Sequence, residues 1–147
     1  MNNMIKLKIK KLVEEAVIPK YAKPGDAGLD LTATSKHWND EMQCWIYGTG
    51  LAMEIPAGHV GLLFPRSSVR KTNLALTNCV GVVDSGYRGE VMFTYRPQSH
   101  GNTGSSYNVG DRIGQLIIME YPTVEVEEVD ELSESKRGTG GHGSTGV

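Results

Sequence analysis

Five short stretches of this 147-residue chain carry side chains whose chemistry goes beyond what packing requires. In Ala27-Gly28-Leu29-Asp30-Leu31 an acid stands inside an apolar strand start. Taken alone, that acid reads as a turn cap. Pro65-Arg66-Ser67-Ser68 follows the apolar run Val60–Phe64. Hydroxyls and backbone N–H groups at a strand-to-helix turn form an anion site, although an ordinary helix N-cap by Ser67 or Ser68 accounts for the same residues equally well. Gly81–Glu90 sets Asp84, Tyr87 and Arg88 in a tight turn between apolar strands. The exposed donors and acceptors of a hairpin tip suit the reading of a base edge, while Asp and Gly are also plain turn formers. In Gly110–Leu116, Arg112 and Gln115 interrupt an apolar strand, so their polar ends need partners. For Arg112 a structural network between strands or subunits is the preferred reading. Ser133–Val147 places Arg137 ahead of five glycines, with Ser144 and Thr145 near the end. A cation, many free N–H groups and two hydroxyls make a phosphate-wrapping composition; without the other four stretches, disorder would be the natural reading.

Other chemistries lack their residues. The tail contains a GxGxxG pattern at Gly141, Gly143 and Gly146, but no helix can open after it and no βαβ unit surrounds it. It is no P-loop, because no Lys follows the last Gly. His37, His59, His100 and His142 are scattered, and Cys44 and Cys79 have no CxxC partners, so metal-ligand spacing is missing. There is no GxSxG nucleophile elbow.

The elements that must position these residues read as strands. Met4–Ile9 alternates. Lys36–Trp38 and Cys44–Tyr47 are expected to pair around Asn39-Asp40-Glu41. Leu51–Ile55 and Val60–Phe64 are expected to form a hairpin around Pro56-Ala57-Gly58-His59. Leu74–Thr77, Val80–Val83, Glu90–Arg96, Arg112–Glu120 and Val124–Val129 complete the set, with a short helix over Ser67–Thr72. No apolar stripe of helical period is sustained. Many short strands predict an all-β sandwich or jelly roll. One domain over residues 1–132 is expected, followed by a flexible Gly-rich tail over 133–147. Pro97–Asn108 reads as a polar loop.

A net charge of −2 argues against a nucleic-acid partner. No stretch approaches the ~20 apolar residues of a membrane span, and no secretory signal is expected. Two cysteines are too few for a disulfide scaffold, which suggests a reducing, cytoplasmic compartment.

Together and in order, the five stretches resemble the sequence motifs of trimeric dUTPases, over nearly the whole chain from Ile18 to Gly146. The resemblance implies a β jelly roll assembled as a homotrimer, with active sites built between subunits and closed by the C-terminal tail. It implies hydrolysis of dUTP to dUMP and pyrophosphate, which limits uracil in DNA and supplies dUMP. It implies Mg²⁺ held by substrate phosphates and water rather than by direct protein ligands, with Asp30 approaching the hydrated ion. Asp84 matches the acid that orients and deprotonates the attacking water. Arg66, Ser67, Ser68, Gln115, Arg137, Gly143, Ser144 and Thr145 match phosphate-side positions. Tyr87 matches the aromatic under the deoxyribose, and Asn78 and Val83 lie where uracil is read. His142 departs from the family's usual Phe, and an imidazole can also stack. Ser85-Gly86 and Gly114 are smaller departures, expected to be inconsequential. The nearest alternatives are a dCTP deaminase, for which no Glu precedes Asp84 in its turn, and a nucleotide-responsive regulatory trimer.

Overall fold

The computed structural model describes residues 4–98 and 105–146. Its strands are β1 (Lys8–Lys11), β2 (Leu29–Thr32), β3 (Ser35–Asn39), β4 (Cys44–Glu54), β5 (His59–Phe64), β6 (Leu74–Leu76), β7 (Gly81–Val83), β8 (Glu90–Pro97) and β9 (Arg112–Glu120). They form two antiparallel sheets. One runs β1-β4-β8-β6, with β3 also paired to β4, and the other runs β2-β9-β5-β7. The expected all-β class and jelly-roll-like sandwich are borne out. A 3₁₀ turn, Ser67–Lys71, replaces the expected short helix.

Period-2 alternation explains which face goes inward. On β8, Val91, Phe93 and Tyr95 are buried while Met92 and Arg96 face out. Leu31, Tyr47, Leu51, Ile113 and Leu116 meet them from the other strands. Thr49, the buried polar residue of the core, donates its hydroxyl to the Val91 carbonyl at 2.6 Å. Gly114 on β9 faces the Phe93 ring across the sandwich. A Cβ at 114 would stand 2.2 Å from a carbon of that ring. The absence of a side chain at Gly114 is therefore what admits Phe93, contrary to the expectation that it is inconsequential.

Several local expectations are corrected. The first strand begins at Lys8 rather than Met4. Cys44–Tyr47 and Leu51–Ile55 belong largely to one long strand, β4, whose pairing with β8 shifts register between Gly48 and Ala52. Pro56–His59 does turn, with His59 N–H donating to the Pro56 carbonyl at 3.1 Å. The strands it joins lie in different sheets, so it is a crossover and not a hairpin. The same holds for Asp84–Gly89: β7 pairs with β5, whereas β8 pairs with β4 and β6. Val124–Val129 forms no strand, and Val124 and Val126 are exposed. Lys36–Trp38 and Cys44–Tyr47 pair as expected. Part of the Pro97–Asn108 loop lies outside the described residues.

Candidate active site

The end of β5 delivers Pro65–Ser68 beside β2 and β9, and there the first, second and fourth stretches meet. Asp30 on β2 stands opposite Gln115 on β9. Arg66 Nε donates to Asp30 Oδ1 at 2.9 Å, and Arg112 Nη1 reaches Oδ2 at 3.3 Å. The acid is therefore no simple turn cap but lies between two guanidiniums, with its side chain 17% exposed. Gln115 Nε2 donates to the Pro65 carbonyl at 2.9 Å. Its amide oxygen fills the space beside Gly28, where a Cβ would stand 2.1 Å away. Both interrupting polar residues have thus found the partners they needed.

Neither serine caps the 3₁₀ turn. Arg66 occupies the cap position, with no side-chain cap hydrogen bond. Ser67 is exposed. Ser68 Oγ accepts from Arg66 Nη1 at 3.4 Å and lies 2.9 Å from the Tyr107 hydroxyl. These residues border a cavity of about 440 Å³ lined by Arg66, Ser68, Lys71, Arg112 and residues 105–108 among others. Three cations and several hydroxyls on one concave surface suit a polyanion.

The third stretch builds a different cavity. At the corner where β7 leaves one sheet and β8 joins the other, Leu63, Asn78, Val83, Asp84, Tyr87 and Met92 help to line about 280 Å³. Val83 is buried at its floor, while Asn78 and Asp84 are exposed. The Tyr87 ring is fixed by its hydroxyl, which donates to the Glu90 carbonyl at 3.0 Å. Gly89 lies against that ring, where a Cβ would meet the hydroxyl oxygen at 2.4 Å. Arg88 does not line this cavity. It donates to the Ser85 carbonyl at 2.7 Å and pairs with Glu54 at 3.3 Å, holding the turn in shape. A hydrogen bond from Lys8, then the Lys8 charge and that of Arg88, hold the Glu54 carboxyl below its ordinary range.

The tail stays apart from both cavities. Arg137 Nε donates to the Gly140 carbonyl at 2.7 Å, and Ser144 N–H to the Gly141 carbonyl at 3.1 Å. His142, Gly143, Ser144 and Thr145 are exposed. His142 holds a left-handed φ of 51°, which β-branched residues resist. The sequence-predicted residues therefore fall into three groups on one chain: the Asp30–Arg66–Ser68–Gln115 cluster, the Asn78–Val83–Asp84–Tyr87 corner, and the tail. Sequence reasoning missed Tyr107 and Lys71. The signal for Tyr107 was an aromatic residue in an otherwise polar loop.

Comparison with known proteins identifies the family. The dUTPase family model matches residues 14–146. The chain is 38% identical to the deoxyuridine 5'-triphosphate nucleotidohydrolase of Rhodococcus erythropolis, over 99% of this chain and 89% of that protein. It is 40% identical to the enzyme of the same name from Clostridium acetobutylicum, over 98% and 99%. Among solved structures it is similar to the dUTPase of Staphylococcus bacteriophage 80alpha with dUPNHPP (TM-score 0.80, 28% identity, 98% of this chain and 100% of that one). It is also similar to a mutant dUTPase of phage phi11 of S. aureus described with a coordinated structural Mg(II) ion (TM-score 0.68, 26% identity, 86% and 98%).

Proposed function

The chain belongs to the dUTPase family, and from that premise we propose that it hydrolyses dUTP to dUMP and pyrophosphate at a site combining the phosphate-side cluster, the sheet corner and the tail. This chemistry limits uracil in DNA and supplies dUMP. The observation that carries the reading is the corner cavity, where Asn78, Val83, Asp84 and Tyr87 line one small concavity. Tyr87, held by Glu90, is a rigid floor for deoxyribose with no room for a 2′-hydroxyl. Asn78 and the backbone around Val83 face the uracil edge.

Asp84 is exposed at this corner and serves as the base. It accepts a proton from water as the water oxygen bonds to the α-phosphorus. The bond from that phosphorus to the bridging oxygen breaks, and pyrophosphate leaves with the electron pair. A base of this kind needs position more than tuning. Arg66, Ser67, Ser68 and Gln115 meet the phosphate oxygens, joined by Arg137, Gly143, Ser144 and Thr145 once the tail folds over, with His142 against the base.

The donor set fits Mg²⁺. Mg²⁺ keeps its waters and prefers phosphate oxygens, so it needs no cage of protein ligands; among the described residues no group of three or more His, Cys, Asp or Glu stands together. Asp30 is the carboxylate on the phosphate side. Each of its oxygens faces one guanidinium, which leaves lone pairs for a metal-bound water. Bound there, Mg²⁺ neutralises charge on the triphosphate.

The active unit is the family's homotrimer, each site drawing on all three chains. Two features support this. The two cavities share no lining residue within one chain. The tail, taken as residues 133–147 beyond a domain of residues 1–132, could extend ~50 Å onto a neighbour. Among the described residues no helix is long and apolar enough to cross a membrane, and Cys44 and Cys79 are free thiols. We place the enzyme in the cytoplasm.

The test is release of pyrophosphate from dUTP, UTP, dCTP and dTTP with products identified. The expectation is a kcat/KM at least ~100-fold higher for dUTP, since a sterically rejected group supplies about 3 kcal/mol. Deamination of dCTP, or nucleotide binding without turnover, would replace this reading.

A further inference from the structure

Tyr107 stands behind Ser68 and is 7% exposed. Its ring packs against Tyr95 and Tyr47, with centroids 5.7 and 6.3 Å apart. Its main-chain carbonyl accepts the Tyr47 hydroxyl at 2.9 Å. The flanking residues are fastened too: Lys36 Nζ donates to Ser106 Oγ at 2.7 Å, and Asn108 N–H donates to Asp111 Oδ2 at 2.7 Å. The phenolic oxygen is thus fixed in space, 2.9 Å from Ser68 Oγ.

Hydrogen-bond accounting at Ser68 gives this contact a consequence. A serine hydroxyl has one hydrogen and two lone pairs. Arg66 Nη1, 3.4 Å away, can only donate. A phenol is a better donor than an aliphatic alcohol, because the ring stabilises charge on its oxygen. With Tyr107 also donating, Ser68 accepts twice. Its own hydrogen then points away from both donors, into the cavity bordered by Arg66, Lys71 and Arg112.

We propose that Tyr107 is a positioning residue: by donating to Ser68 Oγ, it commits the Ser68 hydrogen to a phosphate oxygen of the nucleotide. The inference rests on the proposed dUTP hydrolysis only for the identity of the anion.

The test compares wild type, Tyr107→Phe, Ser68→Ala and the double variant. Dissociation constants are measured with Mg²⁺ for a non-hydrolysable dUTP analogue, for inorganic triphosphate and for deoxyuridine. Each single variant is expected to weaken both phosphate-bearing ligands about tenfold. The double variant should also lose about tenfold rather than a hundredfold, because a single contact has been removed by two routes. Deoxyuridine, which has no phosphate, should bind all four proteins alike. Tyr107→Phe keeps its ring and its carbonyl, so its melting midpoint should stay within about 3 °C of wild type. Wild-type affinity in Tyr107→Phe, additive losses, an equal loss for deoxyuridine, or a midpoint lower by more than about 5 °C would each overturn the inference. Failure of the dUTP reading shows itself differently, as a wild type that binds inorganic triphosphate but not deoxyuridine. The triphosphate series then still decides the role of Tyr107.

Discussion

Gly28→Ala tests the phosphate-side cluster through a single methyl group. Gly28 does not occupy the left-handed region, so alanine meets no backbone penalty there. The added carbon would lie 2.1 Å from Gln115 Oε1, 3.0 Å from Cδ and 3.2 Å from Cβ. Non-bonded heavy atoms rest at about 3.5 Å, so the Gln115 amide must retreat by about 1 Å or more. That retreat ends its 2.9 Å hydrogen bond to the Pro65 carbonyl, one of the contacts that tie β9 to the turn carrying Arg66 and Ser68. A misplacement of ~1 Å in a catalytic cluster can lower the rate about 10²-fold, or about 2.7 kcal/mol of transition-state stabilisation. The fold loses much less, because the displaced group is the end of a flexible side chain. One neutral hydrogen bond contributes about 1 kcal/mol, or roughly 2–4 °C in melting midpoint at this chain length. The assay is steady-state pyrophosphate release beside thermal melting, for Gly28→Ala, Gln115→Ala and the double variant. Activity should fall about 10²-fold in Gly28→Ala, and adding it to Gln115→Ala should change nothing further. Wild-type turnover in Gly28→Ala would refute the reasoning, as would an equal loss whether or not the glutamine is present.

Asp84→Asn should lower kcat by at least about 10²-fold while a dUTP analogue still binds with near wild-type affinity, since shape is kept and the base is removed; survival of turnover within tenfold would take the role from Asp84. Deletion from Ser133 onward should leave a folded trimer by light scattering with little hydrolysis, because the described residues of that segment are mostly exposed and none belongs to the buried core. Burial, the largest cause, pushes the Tyr47 hydroxyl up to about 12. An unfolded tyrosine ionises near 10, so between pH 10 and 12 the unfolded state binds fewer protons. Stability should therefore be full below about pH 10 and decline as pH rises toward 12. Urea midpoints should fall less steeply over that range in Tyr47→Phe than in wild type. Gly114→Ala should destabilise by about 1–3 kcal/mol through overpacking against Phe93, and Phe93→Leu should recover part of that loss in a denaturant series.

Much of this was legible in the sequence, and the gaps have physical reasons. The sequence predicts the strand Arg112–Glu120 from its first residue to its last, because its apolar run and its flanking Gly110-Asp111 and Pro122 are local signals. Pro56–His59 and Asp84–Gly89 are turns, as their residues predict, but the strands they join lie in different sheets and form no hairpins. Turn chemistry states that the chain reverses, whereas the choice of sheet is made by distant partners such as β9 for β5. Val124–Val129 has the pattern of a strand and finds no partner within one chain. The residue types at the site were visible, and the juxtaposition of Asp30 with both Arg66 and Arg112 was not, since it spans 36 and 82 positions. The space beside Gly28 and Gly114 leaves no trace in composition at all.

The close approach of Gly114 to Phe93 has a bearing on how this chain can diverge. Twenty-one positions apart in sequence, the two residues share one volume. A side chain gained at 114 while the phenyl ring is kept costs stability, and less bulk at 93 relieves that cost. The two positions therefore act as one steric unit, and a chimera that joins this chain's β8 to a β9 carrying a side chain at 114 is expected to be less stable than one that keeps glycine there.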